Sequence, residues 1–528
     1  MSTSGTTAPA TGGPTVRSGI AATARGGWWG FLGSAVNAVF GYVLVALVTR
    51  GLGAYGAGAV FTCVAAFTIL CNACKLGADT GLVRFVPGDL AITGGREVGA
   101  LLRSAVVPGA LASTTAAALL FLSPGMASAL LPSLAPGDAV TLVRLFAVFL
   151  PLATVTLILL GATQGHGTVI PYVGVEQIGK PVLRVLIAVP VLLLAPGVLS
   201  LAAAWLVPSL AGFLIAGLAL RRCRRRGTGH VSVRQTVVRQ TGGPETGVRE
   251  TATRRGFWAF AAPRAISSVF DISAVWLGVV LLSSLATSEE AGIYTAVGRV
   301  VIAATLLQLA IRLAVAPEIS RLLALGDLAQ ASHLHRVSTR WIVLFSWPLL
   351  ALLTSFPGTV LSLFGPEFEQ GTGALVLLCL ASAVNVGVGN AQTVLLMAGK
   401  STWHLAVTGV AFAVQLTVGF LAIPRLGVLG AALSWGAATV VENVVAAVLV
   451  RRHPGFTFID GGYLLATAVA LCLTVPLVAA ARLLAGDTAV GLAVAITMGL
   501  CVFGIGLWRF RTALGVHELV GVLRERTP

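Results

Sequence analysis

A chain of 528 residues that is 56% hydrophobic and only 10% charged lies far from an ordinary soluble domain, where about a quarter of residues are charged. Its mean hydropathy of +0.93 excludes a large water-soluble domain and points to an all-α polytopic membrane protein. The formal charge of +16 would suit nucleic acid in a soluble chain, but the basic residues follow membrane topology instead, so no nucleic-acid partner is expected.

Fourteen spans are predicted, near 27–49, 58–76, 98–121, 140–160, 174–195, 198–220, 257–284, 292–315, 338–363, 372–396, 401–423, 427–450, 462–485 and 487–508. A bilayer needs about 20 apolar residues per helix. Of the 35 Lys and Arg, only Arg50, Arg425 and Arg482 fall in outside loops, against Asp138, Glu289, Glu290, Glu367, Glu369 and Asp487. This positive-inside bias predicts both termini in the cytoplasm and a multi-pass cell-membrane protein.

Residues 1–26 are rich in Ser, Thr, Gly and Ala and read as a disordered cytoplasmic tail, not a cleaved signal peptide. The first span carries Asn37 and ends at Arg50. RGLGAYGAGAVF (Arg50–Phe61) then makes a very tight outside turn, and CKLGADTGLVRFVPGD (Cys74–Asp89) a Gly-broken amphipathic stretch on the cytoplasmic face. Six of the seven cysteines lie inside spans, which argues against an extracellular disulfide framework. Cys71 and Cys74 read as small packing residues; no metal or cofactor is expected.

Arg103 and Arg184 fall about one turn inside the cytoplasmic boundary, and Arg144 at similar depth from the outside. Each either snorkels to headgroups or faces a polar interior. GATQGHGTVIPYVGVEQIGKP (Gly161–Pro181) reads as a cytoplasmic connection with His166 and Glu176 as loop residues. Residues 221–256 form an Arg-rich cytoplasmic linker suited to anionic lipid. It separates an N-lobe (27–220) from a C-lobe (257–450), followed by a C-terminal helix pair (451–508) and a basic tail (509–528).

The lobes echo each other. Gly53-Ala-Tyr55-Gly-Ala57 matches Gly292-Ile-Tyr294-Thr-Ala296, and Lys75 and Arg84 are spaced as Arg312 and Arg321 are. That pattern predicts a parallel pseudo-repeat with substrate bound between two six-helix lobes.

Charge within spans concentrates from Phe257 to Arg340. Arg264 and Asp271, seven apart, share one helix face; Arg299, Gln308 and Arg312 lie on the returning span. A charge facing lipid costs about 2.5–3.5 kcal/mol or more, so these residues are expected to face protein or a watery cavity. In Ala316–Arg340, an amphipathic cytoplasmic helix, His333 and His335 read as solvated. Asn385, Asn390 and Gln392 either line a cavity or bond between helices, and Glu442 beside Asn443 is a buried functional candidate.

In order and spacing, EEAGIYTAVGRV (Glu289–Val300), APEISRLLALGD (Ala316–Asp327), FGPEFEQGTGALVLLCLA (Phe364–Ala381), LMAGK (Leu396–Lys400) and IPRLGVLGAALSWG (Ile423–Gly436) resemble the polysaccharide/oligosaccharide flippase family of the multidrug/oligosaccharidyl-lipid/polysaccharide exporter superfamily. GLGAYGAGAV and KLGADTGLVRFVP resemble its first-half counterparts. The resemblance implies two six-helix lobes around a central cavity. It also implies export of a polyprenyl-diphosphate-linked glycan from the cytoplasmic to the outer leaflet.

The physics agrees. A diphosphate brings about two negative charges into a layer of low dielectric, and arginine binds phosphate through a planar fork. Arg264 and Arg299 are the first choices for diphosphate, with Arg103, Arg184, Arg312 and Asn385 as further substrate-binding candidates. Asp271 and Glu442 either bind a coupling proton or cation or pair with those arginines; an Arg264–Asp271 pair locking two helices is the other use of those groups. The expected partners are lipid-linked glycan, membrane lipids and the glycan polymerases or glycosyltransferases on either side of the step. The rival readings are a cation-coupled multidrug exporter, which six intramembrane arginines against two acids disfavour, and a non-transporting scaffold. An enzyme is not expected, because the first outside loop has no carboxylate.

Overall fold

The computed structural model describes residues 14–92, 94–226, 254–309, 327–389, 401–451 and 460–509, with scattered positions in 311–322 and 391–394. Among them every regular element is helical, as lipid demands of a backbone that must satisfy its own polar groups. The helices are α1 (Pro14–Cys74), α2 (Ala78–Ile92), α3 (Val98–Leu122), α4 (Pro124–Leu130), α5 (Pro136–Gly165), α6 (Ile170–Leu194), α7 (Val198–Leu206) and α8 (Pro208–Arg226). After the undescribed 227–253 come α9 (Arg254–Leu285), α10 (Ser288–Ala304), α11 (Leu328–Ser355), α12 (Pro357–Leu361), α13 (Thr372–Val388), α14 (Ser401–Leu426), α15 (Val428–Arg451), α16 (Gly461–Ala485) and α17 (Ala489–Arg509).

Twelve helices among the described residues are long and apolar enough to cross a membrane, against fourteen spans read from hydropathy. The first two predicted spans share one of these helices, from Leu32 to Leu90, and the eighth runs into undescribed residues after 309. The predicted tail differs too: α1 begins at Pro14, because Pro suits a first helical turn and no further Pro interrupts the run into the first span. Most of the Arg-rich linker, Asn390, Arg321 and the tail beyond Arg509 lie outside the described residues.

The tight turn of Arg50–Phe61 is a single residue. Gly53, at φ 67° and ψ −179°, holds a conformation that L side chains avoid, so α1 bends sharply there. Five residues on, the backbones of the two echoing motifs touch. A Cβ on Gly58 would sit 1.5 Å from the Ser288 carbonyl oxygen, and one on Gly292 2.1 Å from that of Ala54. Inside a bilayer apolar burial supplies no water-transfer energy, and close packing of small residues holds helices together. The largest core cluster is built around this crossing, with Val45, Ala57 and Phe61 against Ile293, Val297, Phe368 and Leu375.

Two readings need correction. Gly161–Pro181 is mostly helix: only 166–169 separates α5 from α6, which absorbs its glycines in a π-helical stretch, Val173–Gly179. Gly33 of α1 packs closely on Val173 and Gln177 there, so Glu176 sits on a packed helix and not in a loop. His335 is fully buried within α11 instead of solvated; His333 on the same helix is exposed.

The C-terminal pair α16–α17 is fastened at both ends. Asp460 caps α16 through the Tyr463 N–H at 2.8 Å and pairs with Arg340. Asp487, between α16 and α17, accepts from the Gly358 and Thr359 N–H groups at 3.0 Å each and from the Thr359 hydroxyl at 2.7 Å. Burial pushes both carboxyls up, but these donors and the neighbouring arginines outweigh it and hold both below the ordinary carboxylate range.

Candidate functional site: a basic cavity in the membrane

A cavity of about 460 Å³ lies between α1, α2, α5, α6, the α7–α8 junction, α9 and α10. Toward one end of the bundle its lining reaches Asp79, Gln164 and Tyr172, near helix ends; toward the Gly53 end it stops at Val45, Phe61, Arg184 and Trp205. Helix rise places Arg184, ten residues before the end of α6, and Arg299, eleven after the start of α10, at about the same depth. Both lie roughly 15 Å from that end, half of a hydrocarbon core about 30 Å thick.

Four basic and two acidic side chains line the cavity, a surplus of two positive charges. Both lysines are neutralised within their own helical neighbourhood: Lys75 Nζ is 2.8 Å from Asp79 Oδ2 and Lys180 Nζ 2.5 Å from Glu176 Oε1, each pair four residues apart. The arginines account for the surplus. Among the described residues neither makes an ion pair, and each rests on a tryptophan. Arg184 Cζ is 3.7 Å from the Trp205 ring centroid, and Arg299 Cζ 5.1 Å from that of Trp276. Arg184 Nε also donates to the Trp205 carbonyl at 3.0 Å, where α7 ends ahead of Pro208.

The Gly53 end is shut by bonds between the parts of the chain before 227 and after 253. The bend at Gly53 frees the Ala54 N–H, which donates to Glu367 Oε1 at 2.6 Å. Arg50 Nε donates to the Leu363 carbonyl at 2.8 Å, Ser288 N–H to Ser133 Oγ at 3.2 Å, and Ser283 Oγ to the Leu130 carbonyl at 3.0 Å.

Of the residues singled out from the sequence, Arg184 and Arg299 line the cavity together; Arg264, Arg103, Arg312, Asn385, Asp271 and Glu442 do not. Asp271, next to the lining residue Ile272, stands within electrostatic reach of His404, Arg264, Arg312 and Lys75. It belongs to a second charged group that adjoins the cavity wall. Glu442 shares a side-chain hydrogen bond with Gln392. Asn385 and Gln308 exchange amide hydrogen bonds at 3.4 Å between helices. Arg103 is exposed, and Arg144 lies over Phe121 and donates to its carbonyl. The residues missed are Lys75 and Asp79, placed on the cytoplasmic face from sequence, and Lys180, Trp205 and Trp276. For the charged ones the one sequence signal was the four-residue spacing of opposite charges in Lys75–Asp79 and Glu176–Lys180; the tryptophans carried none.

The family described as Polysaccharide biosynthesis protein matches residues 23–323, more than half of the chain. No curated protein matches the sequence. Among solved structures the chain is similar to the lipid II flippase MurJ in an inward closed conformation, with a TM-score of 0.71 and 11% identity over 91% of this chain and 98% of that one. It is similar also to the MATE multidrug transporter DinF-BH (TM-score 0.60, 15% identity, 86% of this chain and 100% of that one). The Vibrio cholerae MATE transporter VcmN gives a TM-score of 0.53 at 16% identity, over 84% and 99%. At these identities the likeness is one of fold.

Proposed function

The chain belongs to the polysaccharide biosynthesis protein family, and from that premise we propose that it is a flippase for a lipid-linked glycan precursor. The cargo is a polyprenyl-diphosphate oligosaccharide, moved from the cytoplasmic to the outer leaflet of the cell membrane by alternating access. Both termini lie in the cytoplasm on this reading, and residues 27–220 and 257–450 are the two lobes that rock.

The observation that carries the proposal is the surplus of two arginines at mid-membrane depth that make no ion pair among the described residues. A sugar-capped diphosphate carries about two negative charges, and charge-assisted bonds from a guanidinium fork replace part of the hydration it loses. The lipid tail stays in the bilayer while the headgroup occupies the cavity. A cationic drug meets the wrong sign of field here.

Translocation of a short-chain polyprenyl-diphosphate saccharide in proteoliposomes tests this. The intact protein is expected to move it, while Arg184→Ala and Arg299→Ala each lose at least about tenfold, one charged hydrogen bond's worth of affinity. Arg103→Ala, outside the cavity, stays near the parent. Equal transport by all variants removes the site assignment, and no transport by the parent removes the flippase reading.

A further inference from the structure

We infer that Trp205 and Trp276 are positioning residues for the cargo anion: each holds an arginine charged and forward-facing, and Trp205 also keeps Arg184 clear of a carboxylate. The inference rests on the flippase reading for the identity of the anion, and on the cavity geometry for everything else.

An arginine inside a membrane protein ordinarily takes a carboxylate partner, which stabilises the cation but neutralises it and competes with any incoming anion. The two lysines of this cavity are held in that way, by Asp79 and Glu176. The two arginines are held by aromatic faces instead. A ring face stabilises the cation through its quadrupole and supplies no acceptor that must be displaced. Among the described residues Arg184 spends only Nε, on the Trp205 carbonyl, which leaves four of its five N–H donors for phosphate oxygens.

The Trp205 ring is itself fixed by neighbours, with Phe67 edge-on at 5.6 Å and Phe146 tilted at 5.8 Å between centroids. The carboxylate within electrostatic reach of Arg184 is Glu176, which Lys180 occupies on the same helix. Without Trp205, Arg184 turns toward Glu176, and the surplus charge falls where the cargo needs it.

The test measures binding of a short-chain polyprenyl-diphospho-N-acetylglucosamine to the full chain in nanodiscs, alongside translocation. Trp205→Phe keeps a ring and is expected to bind within about threefold of the parent; Trp205→Leu is apolar without a ring and binds roughly tenfold more weakly. The decisive variant is Trp205→Leu with Glu176→Gln. If Trp205 works by keeping Arg184 off Glu176, this double variant binds about as well as Glu176→Gln alone; a merely structural loss would persist in full. Trp276→Leu, compared with Trp276→Phe, repeats the ring comparison at Arg299 should Trp205→Leu fail to fold. Parent-like binding by both leucine variants overturns the inference, as does a Trp205→Leu deficit undiminished when Glu176→Gln is also present, or no binding by the parent. A parent that binds the probe and does not translocate it sinks the flippase reading and leaves the positioning role standing.

Discussion

The two ends of the bundle are held by different bonds. At the Gly53 end, the parts of the chain before 227 and after 253 are joined by single hydrogen bonds, Glu367 to the Ala54 N–H and Arg50 to the Leu363 carbonyl among them. At the Lys75 end the strong ion pairs, Lys75–Asp79 and Lys180–Glu176, each join neighbours four residues apart in the first part alone. The Gly53 end is thus closed by hydrogen bonds laid over the tight Gly58–Ser288 crossing, while at the Lys75 end the two parts meet through ring packing, Phe85 against Phe257 and Arg84 over Phe260. The C-terminal pair, by contrast, is fastened at both ends, to α11 through Asp460 and to α12 through Asp487.

The largest effect expected from breaking this arrangement comes from the cavity wall. Charge reversal, Arg299→Glu, should abolish binding of a sugar-capped diphosphate, a change of at least about a hundredfold, measured by titration in nanodiscs. Next comes the doubly fastened pair. Asp487→Ala removes bonds to two backbone N–H groups and a hydroxyl, costing about 2 kcal/mol, and should lower the thermal midpoint in detergent.

The same carboxylates set an acid limit. Because Asp460 and Asp487 are held below the ordinary range, their contribution is complete above the unfolded-state value and lost as pH falls through the depressed one, below about pH 4. Thermal unfolding should stay level from neutral pH to about pH 4 and then decline, with a shallower decline in Asp487→Asn. The smallest effect is at the closed end. Glu367 is exposed, so Glu367→Gln should weaken the seal by about 1 kcal/mol, roughly a fivefold shift toward the alternative opening. Spin labels at positions 55 and 369 would report it.

Much of the fold was legible in the sequence. Apolar spans with isolated arginines told of an all-helical membrane protein, GLGAYGAGAV marked the bend, and its echo in GIYTA marked the surface that packs against it. Arg184 and Arg299 were named as candidates, but their pairing was not, because hydropathy reads depth and not facing. Which side of a span looks inward is set by packing, such as Gly58 on Ser288, that no single span contains. Lys75, Asp79, Glu176 and Lys180 were assigned to connections because glycine and proline around them read as breaks. In the structure those residues shape a π-helical stretch and a short turn instead. Trp205 counts in any hydropathy window as one more apolar residue, and only its place beneath Arg184 gives it a role.

On the proposed function the cavity selects an anion. Competition between a sugar-capped polyprenyl diphosphate and a lipophilic cation for the purified protein tests it most directly. The diphosphate is expected to bind, more weakly as salt is raised, and the cation is expected not to displace it. Tight binding of the cation, with no measurable affinity for the diphosphate at low salt, would contradict the account and identify the cavity as that of a drug exporter.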